Sequence, residues 1–361
     1  MIPVKLYMGD WYREPKIKSY IFLLYPAWGV VAKSSMPYIA AAVTKYKYSG
    51  EDYEFVKNIA DADYVLVPHP PGLFRKFNNE KFEKILAEAR AAKKLILIEG
   101  SGDIELPMVG EDLVLLRQSQ YRYSVKPNEI TVPLPADDLL ETYFGGKLAA
   151  RQKQTKPSVG FAGWATLSLK QRTKTYIKFL PTYITSFFHH ERRAEKKGVL
   201  FREQILNILQ RAQGITTNFL GRKSYAGNPI TVSGSMDESR REFVENLNGS
   251  DYALCVRGDG NSSIRFYEAL SLGRIPLFFD TACVLPLEHL IDYKKFCVFV
   301  DHPDVKKIGV KLLEFHKNCS LEEFELMQVR AREAYEKYLR PDVFPKYLAQ
   351  QLSEYARKYY E

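Results

Sequence analysis

The sequence predicts an α/β protein with two Rossmann-like domains that face each other across a central cleft. Three observations support this prediction. The chain has 361 residues, which is too long for one ordinary hydrophobic core. In both halves, short apolar runs alternate with segments of helical periodicity, as in parallel sheets covered by helices. Between the halves, residues 145–157 have the polar composition of a linker.

The first half contains three patterns typical of buried strands. They are ADYVLVPHP at residues 62–70, KLILIEGSGD at 94–103 and DLVLLRQ at 112–118. Residues 79–94 predict a helix, because they combine strong helix formers with apolar positions at helical spacing. The apolar stretch at residues 19–35 is too short to span a bilayer and predicts a core strand followed by a loop.

The second half repeats the alternation. Its strand patterns are SVGFAGWA, GITTNFLGRKS, DYALCV, RIPLFFD and FCVFV. The tail from residue 321 predicts two helices separated by a break at Pro341 and Pro345. The predicted domains are therefore residues 1–150 and 151–320, with helices over residues 321–361 that cross back to the first domain.

Composition narrows the class of partner. The net charge of +9 favours anionic partners such as nucleotides, nucleic acid or an acidic membrane surface. We expect no nucleic-acid partner, because the chain has no RNP-like motif, zinc module or recognition-helix pattern. The four cysteines form no close pairs, which excludes a zinc ribbon or a CxxC redox site. The N-terminal residues lack the apolar region of a signal peptide, so we expect a cytoplasmic protein.

The segment CVRGDGNSSIRFYEALSLGRIPLFFD at residues 255–280 predicts a strand, a turn, a helix and a second strand. Ser262 or Ser263 is a natural N-cap, and Gly273 is a natural left-handed stop. Arg265 lies in the first helical turn, where the helix dipole disfavours a cation unless an anion is also present. Backbone N–H groups, the serines, Arg257 and Arg265 are therefore predicted to hold a diphosphate.

Two further groups complete this predicted site. Glu268 lies one turn beyond Arg265 on an exposed stripe and is predicted to accept hydrogen bonds from ribose hydroxyls. The alternative, a surface ion pair between Arg265 and Glu268, leaves Arg257 unexplained. Arg222 and Lys223 follow the strand TNFL and are predicted either to neutralise a leaving diphosphate or to be solvated loop cations.

Residues 250–300 resemble the exostosin-type glycosyltransferases, family 47 of the sequence classification. The residues that carry the resemblance are Cys255, Arg257, Gly258, Ser263, Arg265, Glu268, Gly273, Ile275, Pro276, Leu285, Pro286, Ile291 and Asp292. The resemblance implies a GT-B fold, with an acceptor domain over residues 1–150 and a domain over 151–320 that binds a nucleotide-sugar. It also implies inverting transfer without a metal or other cofactor.

The implied donor is a nucleotide-sugar, with a UDP-sugar favoured, and the implied acceptor is a glycan, a polysaccharide or a lipid-linked sugar. Many eukaryotic members begin with a membrane anchor and act in the Golgi, whereas the first residues here have no such pattern. The alternative function is that of a catalytically inactive protein that binds a glycan or a nucleotide.

Inverting transfer also needs a general base that accepts the proton of the acceptor hydroxyl. Asp103 is the predicted base, because it follows a buried strand in a glycine-rich loop. Glu99, His69 and Asp10 are its rivals. The DxD pattern at residues 61–63 precedes its strand, so a solvated turn is favoured there over a metal site.

Residues 167–197 are basic and aromatic. Their charged side chains are Lys170, Arg172, Lys174, Lys178, Arg192, Arg193, Lys196 and Lys197 against Glu191 and Glu195. Such a segment is predicted to lie on an anionic membrane as a peripheral contact, with a solvated helical excursion packed on the second domain as the alternative.

Overall fold

The computed structural model describes residues 2–29, 42, 44–100, 108, 110–222 and 236–361. The chain divides into two compact units. The first unit comprises Met1–Gln120, Val125–Pro135 and Tyr338–Glu361. The second unit comprises Tyr121–Ser124 and Ala136–Lys337.

Eleven strands are present in the described part of the chain. Those of the first unit are β1 (Val4–Tyr7), β2 (Tyr53–Val56), β3 (Tyr64–Leu66), β4 (Leu95–Gly100), β5 (Leu113–Arg117) and β6 (Glu129–Thr131). Those of the second unit are β7 (Ser158–Trp164), β8 (Thr216–Arg222), β9 (Tyr252–Cys255), β10 (Ile275–Asp280) and β11 (Val298–Asp301).

The α-helices alternate with these strands along the chain. The first six are α1 (Tyr25–Trp28), α2 (Pro71–Ala91), α3 (Leu139–Phe144), α4 (Leu169–Lys178), α5 (Leu180–Thr185) and α6 (Gly198–Arg211). They are followed by α7 (Met236–Asn248), α8 (Ile264–Ser271), α9 (Ile308–Asn318), α10 (Leu321–Ala334) and α11 (Phe344–Tyr360). No helix of the described residues has the length and apolar character needed to cross a membrane.

The first unit is built on a parallel sheet with the strand order β2-β1-β3-β4-β5-β6. The first four residues of β4 and all of β5 are buried, as expected for strands covered on both faces. Helix α2 buries Phe74, Phe82 and Ile85 against this sheet. Helix α11 packs on the strands, where its Leu352 carbonyl accepts a hydrogen bond from the Tyr64 hydroxyl at 2.7 Å.

The second unit is built on a parallel sheet with the order β11-β10-β9-β7-β8. When its five strands are numbered 1 to 5 in chain order and the sheet is read from β8 to β11, the order is 2-1-3-4-5. This is a doubly wound order, and the direction of winding reverses between β7 and β9. The prediction of two parallel α/β units is therefore confirmed. Their arrangement around a cleft stays a prediction.

Residues 136–150 belong to the second unit. The Asp138 carboxylate accepts two hydrogen bonds from Arg332 of α10, at 2.5 and 2.7 Å, and both side chains are buried. This paired charge, together with the packing of α3 on α8, ties the segment to the second sheet. Residues 145–157, which have the composition of a linker, therefore come after α3, a helix that already packs within the second unit.

The strand predicted within residues 19–35 is wrong for the described part of that stretch. Residues Phe22–Leu24 form a 3-10 helix, and α1 follows directly. Pro26 explains the difference, because its fixed φ suits the first turn of a helix and it has no N–H for a sheet. Gly29 then ends the helix at φ +77°.

The helix predicted over residues 79–94 begins earlier, at Pro71, and its backbone is interrupted at Asn78. The Asn78 side chain accepts a hydrogen bond from the Lys81 N–H at 3.1 Å, as an N-cap does. The predicted helix is therefore the second, capped part of α2. The two helices predicted in the tail are confirmed as α10 and α11.

Candidate functional site

The topology of the second sheet indicates where a ligand binds. Ligands of open parallel sheets bind outside the carboxyl ends of the strands, where the winding reverses. Here the reversal lies between β7, which ends at Trp164, and β9, which is followed by Arg257. We call this place the switch point, defined by Gly163, Trp164, Arg257 and the side chains that contact them.

Arg257 is a buried cation at the switch point, 6% exposed. It donates to the Tyr121 hydroxyl, to the Ala194 carbonyl at 3.0 Å and to the Asp259 carbonyl at 2.7 Å. All these acceptors are neutral oxygens, and the Nε atom has no hydrogen-bond partner among the described residues. The guanidinium therefore keeps an uncompensated positive charge, which favours an anionic ligand.

A second arginine joins the two strand ends. Arg202 of α6 donates to the Trp164 carbonyl at 3.2 Å and to the Arg257 carbonyl at 2.8 Å. The ammonium of Lys197 lies 5.0 Å from the centroid of the Trp164 ring and 3.9 Å from the exposed Asp259 carboxylate. No local sequence pattern points to Arg202, because it lies 55 residues before Arg257.

Arg265 packs below this edge of the sheet. It is 8% exposed, its guanidinium lies 4.3 Å from the centroid of the Phe161 ring, and it donates to the Ala162 carbonyl at 2.6 Å. A Cβ atom at Gly163 would lie 2.7 Å from its Nη2 atom. Gly163, whose φ is +147°, leaves the space that the guanidinium occupies, so Arg265 lies beside the switch point.

The predicted exposed stripe on α8 is wrong. Every residue from Arg265 to Ser271 is buried. One face of the helix packs on β9 and β10, and α3 and α10 contact the helix as well. The sequence of a short helix does not show how many neighbouring strands and helices cover its surface.

Glu268 lies in a buried ion pair. It is 3% exposed and accepts a hydrogen bond at 2.6 Å from Arg240 of α7. Burial lowers the pKa of Arg240, but the charge and hydrogen bond of Glu268 outweigh that effect and raise it above its ordinary value. In this arrangement Glu268 neutralises Arg240, and its predicted role at a ribose stays a prediction. Arg240 lies 28 residues before Glu268, so no local sequence pattern predicts this ion pair.

The turn between β9 and α8 is closed by its own backbone. The Gly258 N–H donates to the Ser262 carbonyl at 2.8 Å. Ser263 occupies the N-cap position, as predicted, although its side chain makes no capping hydrogen bond. Gly273 adopts the predicted left-handed conformation with φ +62°.

Arg222 ends β8, at the same edge of the sheet. Its guanidinium donates to the Ser239 hydroxyl and, at 3.1 Å, to the Glu242 carboxylate of α7. The structure therefore brings Arg222 to α7, and its role at a phosphate stays a prediction. Lys223 lies outside the described residues.

Three of the four candidates for the general base are described, whereas Asp103 lies outside the described residues. His69 uses both ring nitrogens within the protein: Nδ1 lies 2.7 Å from the Ser19 carbonyl, and Nε2 accepts from the Glu14 N–H at 3.0 Å. Burial lowers the pKa of His69. Asp10 is an exposed residue at the start of a 3-10 helix.

Glu99 has a different environment. It lies at the carboxyl end of β4 and lines a cavity of about 550 Å³ in the first unit. Its Oε2 atom accepts from the Phe22 N–H at 3.2 Å, and no other described group donates to this carboxylate. Burial raises the pKa of Glu99 to about 7. A carboxylate with such a pKa can accept a proton near neutral pH.

The cavity beside Glu99 has mainly aromatic and proline walls. Its aromatic and proline lining consists of Phe22, Tyr25, Pro26, Tyr46, Tyr48, Pro133, Pro135, Pro341 and Phe344. Its polar groups include Thr44, Lys47 and Gln118. Apolar walls with a few convergent polar groups are typical of sites for small organic ligands.

The DxD pattern lies at the amino end of β3, as the sequence predicts. Asp61 closes a short 3-10 helix, and the Asp63 Oδ2 atom accepts from the Lys5 N–H at 2.8 Å. Among the residues that the structure describes, no group of three or more His, Cys, Asp or Glu side chains could hold a metal ion.

Gly198 gives a direct test of this geometry. A Cβ atom there would lie 2.3 Å from the carbonyl oxygens of both Arg257 and Gly258. We expect Gly198→Ala to lower the free energy of unfolding by ~1–3 kcal/mol through overpacking, as measured by urea denaturation. Gly258→Ala is the matched control, because its nearest atom would lie at 3.7 Å. Equal stability of the two variants would contradict the close packing of α6 on the turn.

Comparison with known families finds a match within the second unit. Residues 182–314 match the model of the family described as the Exostosin GT47 domain. These residues include the β9–α8 turn with Arg257, together with Arg202 and Arg240. Residues 182–314 are thus similar to exostosin-type GT47 domains. The resemblance predicted from residues 250–300 is therefore confirmed.

Two curated proteins are similar to this chain over part of its length. The Arabidopsis thaliana protein named "Probable arabinosyltransferase ARAD1" is 26% identical over 117 residues, which cover 32% of this chain and 23% of that protein. Drosophila melanogaster Exostosin-1 is 39% identical over 70 residues, which cover 18% of this chain and 9% of that protein. This chain thus matches less than a quarter of the length of either relative.

Two solved structures were also compared. The structure of TarM aligns with 90% of this chain and 53% of its own, at 13% identity and a TM-score of 0.29. A glycosyltransferase from Rickettsia africae ESF-5 aligns over 100% of both chains, at 10% identity and a TM-score of 0.42. TM-scores this low support no conclusion about fold or function.

Proposed function

We propose that this chain is a glycosyltransferase that moves a sugar from a nucleoside-diphosphate sugar, with UDP favoured, to a glycan or polysaccharide acceptor. The observation that carries the proposal is the concentration of cations at the switch point, within the segment that matches the Exostosin GT47 domain. The proposed transfer inverts the anomeric centre and proceeds without a divalent metal, as the family resemblance implies.

The chemistry of a diphosphate fits this site. Arginine forms paired, charge-assisted hydrogen bonds with phosphate oxygens, and Arg257 has a buried Nε with no hydrogen-bond partner among the described residues. Arg202 and Lys197 add positive charge at the same strand ends. Positive groups at this place would stabilise the charge that develops on the leaving diphosphate.

The proposed proton acceptor is Glu99. As the acceptor hydroxyl oxygen attacks the anomeric carbon, its proton passes to the Glu99 carboxylate, and the bond to the diphosphate breaks. The support for this role is the cavity that Glu99 lines and the raised pKa of its carboxylate. Asp103 is the second candidate for the same step and rests on the sequence alone.

Arg257→Ala tests the donor site. Because a hydrogen bond to a charged group contributes ~1.5–3 kcal/mol, we expect UDP to bind about 10- to 100-fold more weakly, as measured by isothermal titration calorimetry. Arg211→Ala, at the exposed end of α6, is the matched control and should keep the parent affinity. UDP affinity that is unchanged by Arg257→Ala would place the donor elsewhere.

A panel of nucleotide-sugars in a thermal-shift assay tests the function as a whole, because a ligand that binds only the folded state raises its apparent stability. The stabilising sugar nucleotide is then incubated with the protein, with and without EDTA, and released UDP is measured. Turnover that persists in EDTA supports the proposal. Binding without hydrolysis or transfer would instead support the inactive binding protein, and loss of turnover restored by Mn²⁺ would contradict metal-independent transfer.

A further inference from the structure

Helices α4 and α5, with the residues that follow them, carry a stripe of exposed apolar side chains. We call it the apolar stripe, and it consists of Leu169, Ile177, Leu180, Ile184, Phe187 and Phe188. These side chains are between 53% and 85% exposed. Single exposed apolar residues are ordinary on a protein surface, but six within twenty residues of chain indicate a surface that another phase or molecule covers.

The stripe has helical spacing. Leu180 and Ile184 are four residues apart and lie on one side of α5, and Phe187 and Phe188 follow directly after that helix. Helix α4 is joined to α6 by Arg172, which donates to the Glu203 carboxylate at 2.6 Å. Tyr176 and Tyr183 line a cavity of about 340 Å³ together with residues of α6. The stripe is therefore exposed on helices that contact α6 through other side chains.

A row of lysines runs beside the stripe. Lys170, Lys174 and Lys178 are spaced four residues apart, are exposed, and form no ion pair within the described part of the chain. Two arginines of the basic segment 167–197 form ion pairs. Arg172 pairs with Glu203, and Arg192 pairs with Glu195. The three lysines therefore add exposed positive charge directly beside the apolar stripe.

We propose that the apolar stripe and its lysine row bind the surface of an anionic lipid bilayer. The aliphatic and phenylalanine side chains would lie at the boundary between headgroups and acyl chains, and the lysine ammonium groups would lie over acidic headgroups. A second copy of this chain is disfavoured as the covering partner, because a symmetric contact would bring two lysine rows together. This inference goes beyond the proposed function and does not depend on it.

Co-sedimentation with vesicles tests the proposal. The full chain is mixed with vesicles of phosphatidylcholine alone, or with vesicles that also contain phosphatidylglycerol. We expect binding to the mixed vesicles that weakens with added salt, and much weaker binding to neutral vesicles. Phe187→Ser/Phe188→Ser and Lys170→Ser/Lys174→Ser/Lys178→Ser should each weaken binding by about 10-fold or more.

Matched controls come from exposed residues elsewhere in the second unit. Val310→Ser/Leu321→Ser removes apolar side chains of similar exposure, and Lys294→Ser/Lys306→Ser/Lys317→Ser removes three exposed lysines. Both control variants should keep the parent affinity for vesicles, and all variants should keep the parent unfolding midpoint.

Three results would overturn the proposal. The first is equal binding to neutral and anionic vesicles. The second is binding that neither the double phenylalanine variant nor the triple lysine variant weakens. The third is a dimer in analytical ultracentrifugation that dissociates in Phe187→Ser/Phe188→Ser while vesicle binding persists, which would assign the stripe to a second copy of the chain.

Discussion

Glu99→Gln is expected to lower the turnover rate of sugar transfer by about 10²–10⁴-fold, which is the usual contribution of a general base. Glutamine keeps the shape of the side chain but cannot accept the proton of the acceptor hydroxyl. UDP affinity should stay at the parent value, because the proposed donor site is built from residues of the second unit. The measurement is kcat from UDP release, with UDP affinity determined in parallel.

The same variant has a distinct signature in its dependence on pH. Burial raises the pKa of Glu99 to about 7, and only the ionised carboxylate accepts a proton. The parent rate should therefore increase as pH rises through about 7, and the residual rate of Glu99→Gln should lack that step. Glu83→Gln, on the exposed side of α2, is the matched control and should show the parent profile.

Stability supplies an independent readout for Glu99. Its carboxyl group holds a proton more tightly in the folded state than at its ordinary pKa of 4.5. The folded state therefore binds more protons than the unfolded state between pH 4.5 and about 7, and stability contributed by this group falls as pH rises through that window. Relative to the parent, Glu99→Gln should become more stable as pH increases from 5 to 8.

The competing assignment is tested by Asp103→Asn under the same conditions. If Glu99→Gln keeps more than about a tenth of the parent rate while Asp103→Asn loses activity, the base is Asp103. A Glu99→Gln variant that also loses UDP affinity would show that Glu99 shapes the protein rather than accepting the proton.

Glu268→Ala is expected to lower the free energy of unfolding by ~3–5 kcal/mol, because it removes the carboxylate that neutralises a buried arginine. Arg240 and Glu268 are 8% and 3% exposed, and their charged atoms lie 2.6 Å apart. Urea denaturation measures the loss. The double variant Arg240→Met/Glu268→Leu removes both charges and should recover most of the stability.

An exposed pair supplies the matched control for this prediction. Glu323 accepts from Arg330 at 2.8 Å, and both side chains are about one-third to one-half exposed. Glu323→Ala should change stability by less than about 1 kcal/mol. If Glu268→Ala instead keeps the parent stability and weakens only UDP binding, then Glu268 acts at the ribose, as the sequence first suggested.

Local patterns determined much of the architecture. Buried apolar runs such as residues 95–98 predicted parallel strands, because the backbone of a strand covered on both faces needs an unbroken apolar sequence. The strand, turn and helix around Arg257 and the left-handed Gly273 followed from capping and glycine preferences over a few neighbouring residues. The exostosin resemblance was also local, since it depends on one segment of about fifty residues.

By itself, then, the sequence determined the two parallel α/β units, the position of the arginine-bearing turn and the similarity of the surrounding segment to the exostosin-type family. The tertiary structure decided which charges are neutralised: Glu268 belongs to Arg240, Arg265 packs on Phe161, and Arg202 and Lys197 join Arg257 at the switch point. It also placed Glu99 in a cavity that raises the pKa of its carboxylate. The reason is physical: burial and electrostatic pairing depend on groups brought together from distant parts of the chain, and a local pattern contains no information about those distances.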